Sequence, residues 1–263
     1  MTLHTLASGS EGNCLLVSHG ETHILLDAGI SARRIKTALA ALALTMDDIS
    51  AILLTHGHSD HITGLGTLCK HHRTPLYASA GAAAQICDKF GAAQYHMRTV
   101  RPGEPFAVGS ITVMPFPTSH DAWGSLDFRL ESEGGSIGVL TDTGYVTDEA
   151  FDVLMGVDLL VLESNHDVEW LRSGPYPYPL KERILGPYGH LSNDAAARFA
   201  VDMASRGTKE IVLAHLSREN NTPARALDTV QRALDAAGCH TRLSAAPRCE
   251  LQRYEVEVLP CRK

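Results

Sequence analysis

The chain has 263 residues, of which 44% are hydrophobic and 20% are charged, and its formal net charge is -7. These values are typical of a globular protein, and the acidic balance excludes the overall basic surface by which many proteins bind nucleic acid non-specifically. A nucleic-acid substrate remains compatible with this charge, because local basic residues or a bound metal can supply a positive field. The longest apolar runs, such as AALAL and VDLLVL, are too short to span a bilayer.

The start of the chain and its cysteines indicate a compartment. The segment MTLHTLASGSEGN contains neither the basic stretch nor the apolar stretch of a signal peptide. The six cysteines are scattered, without a Cys-x-x-Cys pair. Together these features predict a cytoplasmic protein with reduced thiols.

Short apolar strands separated by helices are predicted along the first half of the chain. We expect strands at residues 3–8, 13–18, 23–29, 48–56 and 75–79, and helices at residues 31–44, 60–72 and 80–90. A tight turn at HGET joins the second and third strands, and Ser31 precedes the first helix as a candidate N-cap.

The second half of the chain has the same character. We expect strands at residues 106–120, 125–132, 135–144, 157–167, 209–217 and 249–259, and helices at residues 147–155, 191–207 and 223–238. The segment RSGPYPYP, residues 172–179, holds three prolines and is predicted to be a loop. Strands in runs with helices in both halves predict an α/β fold of layered sheets with helices outside. No repeat or linker divides the chain, so we expect one domain over residues 1–263.

Ligand-capable side chains follow directly on the apolar strand in ILLTHGHSDH. His56, His58, Asp60 and His61 lie within six positions. Imidazole nitrogens and carboxylate oxygens are the ligands of zinc and similar divalent metals. The alternative is that these residues cap a helix or face solvent, and Asp60 is well placed to be a cap. The density of ligands at the end of a buried strand favours a metal site.

Three later strands also end in a ligand-capable residue. His120 ends ITVMPFPTSH, Asp142 ends SIGVLTD, and His215 ends EIVLAH. Each alone is more often a cap or a hydrogen-bonded core residue. With His56 they make four strand ends of the same kind, and this repetition predicts a sheet edge where strand ends converge on a site.

The motif THGHSDH, followed in order by His120, Asp142 and His215, resembles the metallo-β-lactamase fold superfamily. The resemblance implies a four-layer αβ/βα sandwich with a dinuclear metal site at one edge of the two sheets. It implies that His56, His58 and His120 hold one divalent ion, that Asp60, His61 and His215 hold the other, and that Asp142 bridges them. Asp27 in LLDAG is expected to orient ligand side chains, or alternatively to cap a turn.

A narrower resemblance, to the YycJ/WalJ-type hydrolases, covers residues 6 to about 223. It is carried by LASGSEGNCLLV, LLDAGIS, TSHDA, TDTGYV, LESNHD, YPYPLKERILGPYGHLSN and LAHLSRENNTP. It implies a nuclease that acts on DNA ends, 5′ exonuclease in type, through a hydroxide that bridges two ions of Zn, Mn or Fe. The alternatives are a small-molecule or cyclic phosphodiesterase, and then a thioesterase or lactonase. A non-catalytic module is a further alternative, which the full ligand set disfavours.

Catalytic and substrate-contacting residues are expected around the ligands. Asp60 is a candidate for orienting the hydroxide. His190 precedes a predicted helix as in ribonuclease Z and phosphodiesterase relatives, which implies a general acid; the alternative is a hydrogen-bonded turn. The candidates for substrate binding or for orienting ligands are Ser8, Asn13, Asp27, Glu163, His166, Asn193 and Asn220. Loop-stabilising hydrogen bonds are an equally good interpretation of the Ser and Asn residues.

Overall fold

A computed structural model of the protein describes residues 1–256 and contains two seven-stranded sheets. The strands of the first sheet are β1 Thr2–Ala7, β2 Cys14–His19, β3 Thr22–Leu26, β4 Ala51–Leu53, β5 Leu76–Ala78, β6 Met97–Thr99 and β14 Gln252–Glu255. Those of the second are β7 Phe106–Val108, β8 Ile111–Pro117, β9 Leu126–Ser132, β10 Gly135–Leu140, β11 Leu159–Glu163, β12 Glu210–Ala214 and β13 Arg242–Ala245. The first sheet has the order β14-β1-β2-β3-β4-β5-β6, and the second has the order β13-β12-β11-β10-β9-β8-β7.

Helices connect the strands. They are α1 Ala32–Ala41, α2 Ser59–Ile62, α3 Leu65–His71, α4 Ala80–Lys89, α5 Asp148–Leu154, α6 Val168–Ser173, α7 Tyr178–Leu185, α8 Asn193–Ser205 and α9 Pro223–Ala236. The side chain of Ser31 accepts a hydrogen bond from the amide of Arg34, which confirms the predicted N-cap of α1. In residues 1–256, every helix is too short or too polar to cross a membrane.

The sheets and helices form four layers, because side chains alternate between the two faces of each strand. On β2, Leu15 and Val17 pack between the two sheets, whereas Leu16 packs against α1, α3 and α4. On β12, Val212 packs between the sheets, whereas Leu213 packs against α5, α8 and α9. Both faces of the central strands are therefore buried, which is why these strands read as continuous apolar runs. The predicted α/β sandwich is confirmed.

Several predicted elements have different boundaries. The predicted loop at 172–179 is too long at both ends. Arg172 and Ser173 end α6, and Tyr178 and Pro179 lie in the first turn of α7, where a helix needs no amide from proline. Helices α6 and α7 were not predicted. The predicted strand at 106–120 is a hairpin of β7 and β8 that turns at Gly109, whose φ is +55°. The short strands β6 and β13 were not predicted, and residues 257–259 of the predicted last strand lie outside the described residues.

Candidate metal centre

Parallel pairing brings three ligand-capable residues of the second sheet to one edge. Strands β10, β11 and β12 are parallel neighbours, so their carboxyl ends lie side by side. Asp142 follows β10 by two residues, Glu163 is the last residue of β11, and His215 directly follows β12. His120 follows β8 in the same sheet. Since β8 and β10 both pair antiparallel with β9, they run in the same direction and end at the same edge. The predicted convergence of strand ends is thus present in the fold.

The first sheet contributes the segment HGHSDH. Its residues follow β4 and begin the short helix α2, which starts at Ser59. The carbonyl of Asp60 accepts the amide of Asn13, and the carbonyl of His61 accepts the amide of Ala28, each at 2.8 Å. A Cβ on Gly29 would lie 1.7 Å from the Asp60 carbonyl oxygen, so only glycine permits this approach. The ligand segment is therefore held by backbone contacts with two neighbouring loops.

Backbone strain is concentrated at the same edge. Asp27, Asp142 and His215 have φ values of 60°, 50° and 54°, a left-handed conformation that non-glycine residues seldom adopt. Asp27 and His215 directly follow a strand and Asp142 follows one by two residues, where the chain turns out of the sheet. Such strain costs of order 1–3 kcal/mol per residue and is typical of functional sites.

Among residues 1–256, the ligand-capable atoms form four overlapping groups, and two of these correspond to the ion sites that the resemblance implies. His56, His58 and His120 make one group, and Asp60, His61 and His215 make the other; within each group the ligand atoms lie within 4.8 Å of one another. His58 Nδ1 is 3.2 Å from His120 Nε2 in the first group. His215 Nε2 is 3.6 Å from Asp60 Oδ2 in the second.

Asp142 lies between the two groups. Its Oδ2 is 3.0 Å from His61 Nε2, and its Oδ1 is 3.8 Å from His120 Nε2. It also forms a group within 4.8 Å with His56 and His61. A single carboxylate is therefore within reach of the ligand atoms of both groups.

The residues present fit divalent metal ions. The His56 Nε2, His215 Nε2 and Asp142 Oδ2 atoms are buried and have no hydrogen-bond partner by donor–acceptor geometry among residues 1–256. An unpaired buried polar atom is costly, so such atoms converging in one place indicate an additional partner. Nitrogen and carboxylate oxygen donors suit Zn, Mn or Fe.

Carboxylates and a carbonyl orient the ligand histidines from behind. Asp27 Oδ2 accepts from His61 Nδ1 at 2.7 Å and from the Thr55 hydroxyl at 2.9 Å. The Gly189 carbonyl lies 3.2 Å from His120 Nδ1. Such contacts fix which ring nitrogen faces a metal. Asp27 is therefore placed as an orienting residue, as the resemblance implied.

Glu163 joins His190 to the ligand set. Its carboxylate is fully buried; Oε1 is 2.8 Å from both His190 Nδ1 and His215 Nδ1. Its Oε2 accepts the amides of Thr143 and Leu191 at 3.0 and 3.1 Å. Burial raises the pKa of Glu163, but His190 and His215 lower it by more, to about 2. Glu163 is thus an anion that fixes the His190 ring with Nε2 facing away from it.

The charges of the cluster reinforce one another. Burial lowers the pKa of His215, but Asp142, Asp60 and Glu163 raise it by more, to about 10. Burial raises the pKa of Asp60, but the neighbouring His215 and His61 rings, within 3.6 and 3.5 Å of its carboxylate, bring it far below its usual range. Divalent metal ions bound among these carboxylates would supply positive charge of the same kind.

The remaining candidate residues divide into two sets. Ser8 Oγ accepts the amide of His215 at 2.9 Å, and Asn13 Nδ2 is 3.1 Å from His61 Nε2, so both contact ligand residues. Asn193 bonds to Ser164 and Asn221, Asn220 bonds to Ser217, and His166 bonds to Asn165. All three are buried beside the site, and the contacts of Asn193 and Asn220 favour the loop-stabilising interpretation for these two residues. The Nε2 atom of His166 has no hydrogen-bond partner among residues 1–256.

Two residues at the site were missed in the sequence. Asp121 Oδ1 lies 3.5 Å from His120 Nε2 and 3.8 Å from His58 Nε2, and Arg183 pairs with its other oxygen. Thr55 donates to Asp27 and has its hydroxyl 3.0 Å from His56 Nδ1. The sequence signal that could have identified Asp121 and Thr55 is that each is adjacent in sequence to a ligand residue, His120 and His56 respectively. Arg183 reaches the site through Asp121.

Comparisons with known proteins agree with this architecture. The model of the β-lactamase superfamily domain matches residues 22–216. Exodeoxyribonuclease YycJ of Bacillus anthracis is 39% identical over 243 residues, 90% of this chain and 91% of that protein. Exodeoxyribonuclease WalJ of Streptococcus pneumoniae is 39% identical over 221 residues, 82% of this chain and 81% of that protein. The metallo-β-lactamase fold protein YhfI from Bacillus subtilis has the same fold, with a TM-score of 0.71 and 17% identity over 97% of this chain and 100% of that one. The chain therefore belongs to the β-lactamase superfamily and, within it, to the family of YycJ and WalJ.

Proposed function

We propose that the protein is a metal-dependent phosphodiesterase that removes nucleotides from DNA ends, 5′ exonuclease in type. The observation that carries the proposal is the juxtaposition of two ligand groups, which share Asp142, with His190 held by Glu163. The names of YycJ and WalJ, both exodeoxyribonucleases, support DNA as the substrate.

Two divalent ions are the proposed cofactors, one in each ligand group. When bound, such ions lower the pKa of water and neutralise charge that develops on a phosphoryl group. Within the second group, Asp60 is the partly exposed member, with 24% of its side chain accessible, whereas His61 is buried. Its carboxylate, an anion at neutral pH, is proposed to accept a hydrogen bond from the attacking water and orient it.

His190 is proposed to protonate the leaving oxygen. Its side chain is 19% exposed, and Glu163 holds Nδ1, so Nε2 is the atom open to the cleft. Burial lowers the pKa of His190, and Glu163 and Asp142 raise it above its ordinary value, which favours the protonated ring. A deoxyribose alkoxide is a poor leaving group, so a positioned proton donor accelerates its departure.

Exposed aromatic side chains beside the site support a polymeric substrate. Trp123, Tyr145 and Tyr188 are 67%, 51% and 62% exposed. Trp123 and Tyr145 each follow a ligand residue by three positions, and the Tyr188 carbonyl accepts the amide of Asp121 at 3.1 Å. Bases of a single strand stack on such rings irrespective of sequence. A small cyclic diester would need only the metal pocket, so these rings favour DNA.

The proposal is tested with bis(p-nitrophenyl) phosphate and a thioester. We expect the Mn- or Zn-loaded protein to hydrolyse the phosphodiester, His58→Ala to lose this activity, and His71→Ala to retain it, because His71 is an exposed residue at the end of α3. Hydrolysis of the thioester without hydrolysis of the phosphodiester would contradict the proposal. So would an inert metal-loaded protein.

A further inference from the structure

A cleft lies beside the loop between β1 and β2, and none of the proposed metal ligands lines it. Arg34 at the start of α1, Arg218 after β12 and Arg248 before β14 line this cleft together with residues 8–12. These arginines come from three distant segments, so the fold assembles a cationic site in an acidic chain. We call this cleft the arginine pocket.

The arginine pocket keeps a positive charge after its internal ion pair is counted. Glu11 lines it and pairs with Arg218 at 2.8 Å. Three arginines against Glu11 leave the lining itself with two positive charges, and Glu219, which does not line the pocket, lies 3.9 Å from Arg218 Nε. The Arg248 side chain packs over the loop, since a Cβ on Gly9 would lie 3.6 Å from Arg248 Cγ. The pocket therefore suits an anion.

The loop that forms one wall of the pocket also presents backbone donors. Gly9 and Gly12 have φ values of 144° and 153°, and the Gly12 amide donates to the Gly9 carbonyl at 3.0 Å. By hydrogen-bond geometry, the amides of Ser10 and Glu11 donate to no acceptor within residues 1–256. Successive amides at a turn are suited to binding an anion. Guanidinium groups and turn amides together match the oxygens of a phosphate group.

The charge of the pocket favours a phosphate monoester. A monoester carries about -1.5 to -2 charges at pH 7, close in magnitude to the lining charge, whereas each phosphodiester carries only one.

The same loop contacts the metal centre on its other side. Ser8, which lines the pocket, accepts the amide of His215 at 2.9 Å. Asn13, the residue after the pocket wall, has Nδ2 at 3.1 Å from His61 Nε2. The arginine pocket therefore flanks the group formed by Asp60, His61 and His215.

We propose that the arginine pocket binds the terminal phosphate monoester of a nucleic-acid strand and thereby positions a nearby phosphodiester at the metal centre. The role in positioning rests on the proposed function, whereas binding of the terminal phosphate does not. The two possible sources of this group are a 5′-phosphate and a 3′-phosphate.

The test compares Arg34→Gln/Arg248→Gln with Arg101→Gln/Arg232→Gln, which removes the same charge from exposed positions that do not line the pocket. Fluorescence anisotropy with the metal-loaded proteins uses phosphorothioate oligonucleotides that carry a 5′-phosphate, a 3′-phosphate or neither. The unmodified protein should bind one phosphorylated form at least roughly tenfold more tightly than the form without a phosphate, as expected for charge-assisted hydrogen bonds. The first double variant should lose this preference, and the second should keep it. Glu11→Gln should increase it.

Cys249 lines the pocket and is an exposed free cysteine, so it reports where binding occurs. The preferred oligonucleotide should slow alkylation of Cys249 by iodoacetamide and leave Cys239, which lies outside the pocket lining, unchanged; peptide mass spectrometry measures both. Equal affinity for all three oligonucleotides, or no protection of Cys249, would overturn the proposal. Hydrolysis of bis(p-nitrophenyl) phosphate does not depend on the pocket, because this diester has no terminal phosphate. If the protein hydrolyses it but binds the three oligonucleotides equally, the role of the arginine pocket is refuted and the proposed function is not. An end preference without hydrolysis refutes the proposed function alone.

Discussion

Replacement of His190 by alanine separates proton donation from metal binding. His190 belongs to neither of the two ligand groups assigned to metal ions, although it bonds to Glu163 and forms a further ligand-capable group with Asp142, Glu163 and His215. We expect the variant to retain its metal content and to lose activity in proportion to the need of the leaving group for a proton.

The cost to stability and the cost to rate can be estimated separately. After truncation Glu163 still accepts from His215 Nδ1 and from the amides of Thr143 and Leu191. The free energy of unfolding therefore falls by that of one hydrogen bond to a charged group, about 1.5–3 kcal/mol. Loss of a general acid lowers the rate roughly 10²–10⁴-fold, which corresponds to about 3–5 kcal/mol of barrier.

The assay compares two substrates of the same variant. On DNA, whose leaving group is an alkoxide, His190→Ala should show the full loss in kcat. On bis(p-nitrophenyl) phosphate the loss should be under roughly tenfold, because p-nitrophenolate departs without a proton. Equal losses on both substrates, with metal content and fold retained, would refute the assignment of a proton donor and indicate a positioning role.

Three further predictions concern the supports of the site. Asp27→Asn weakens the partner of His61 Nδ1 and should lower metal affinity roughly 10–100-fold in a chelator competition, whereas an unchanged affinity would contradict an orienting role. Gly12→Ala forces a Cβ to 2.7 Å from Ile30 Cγ2 at a φ of 153°, so it should lower the free energy of unfolding by about 1–3 kcal/mol in urea titrations; no loss would show that the loop relaxes freely. Burial lowers the pKa of His166 from 6.5 to about 4, so the unfolded state binds more protons between these values and stability is lost as pH falls through them. His166→Gln should remove roughly 2–3 kcal/mol of this loss between pH 7 and pH 4, and identical pH profiles for the two proteins would exclude His166 as its source.

The strand-end residues were predictable because ligand chemistry and strand periodicity act locally. Each of His56, His120, Asp142 and His215 follows an apolar run that must enter a sheet, and parallel strands bring their carboxyl ends to the same edge. The layered α/β architecture followed from runs of strands with helices in both halves, and the four-layer order followed from the resemblance to the superfamily. Both features depend on residues adjacent in sequence.

The contacts that were not predictable join segments far apart in the chain. Asp121 meets Arg183, and Arg34, Arg218 and Arg248 meet at one loop, only after both sheets have packed. The short strand β13 pairs with β12 although it carries no continuous buried face, so tertiary pairing overrides a weak local pattern. The end of the loop at 172–179 was mispredicted because Pro179 lies where a helix tolerates proline.

The central claim is tested most directly by the products from end-labelled DNA incubated with the Mn-loaded protein. The account predicts release of nucleotides progressively from the 5′ end, lost on chelation and in His58→Ala. Intact DNA with full metal occupancy, or cleavage that is unchanged in His58→Ala, would contradict it.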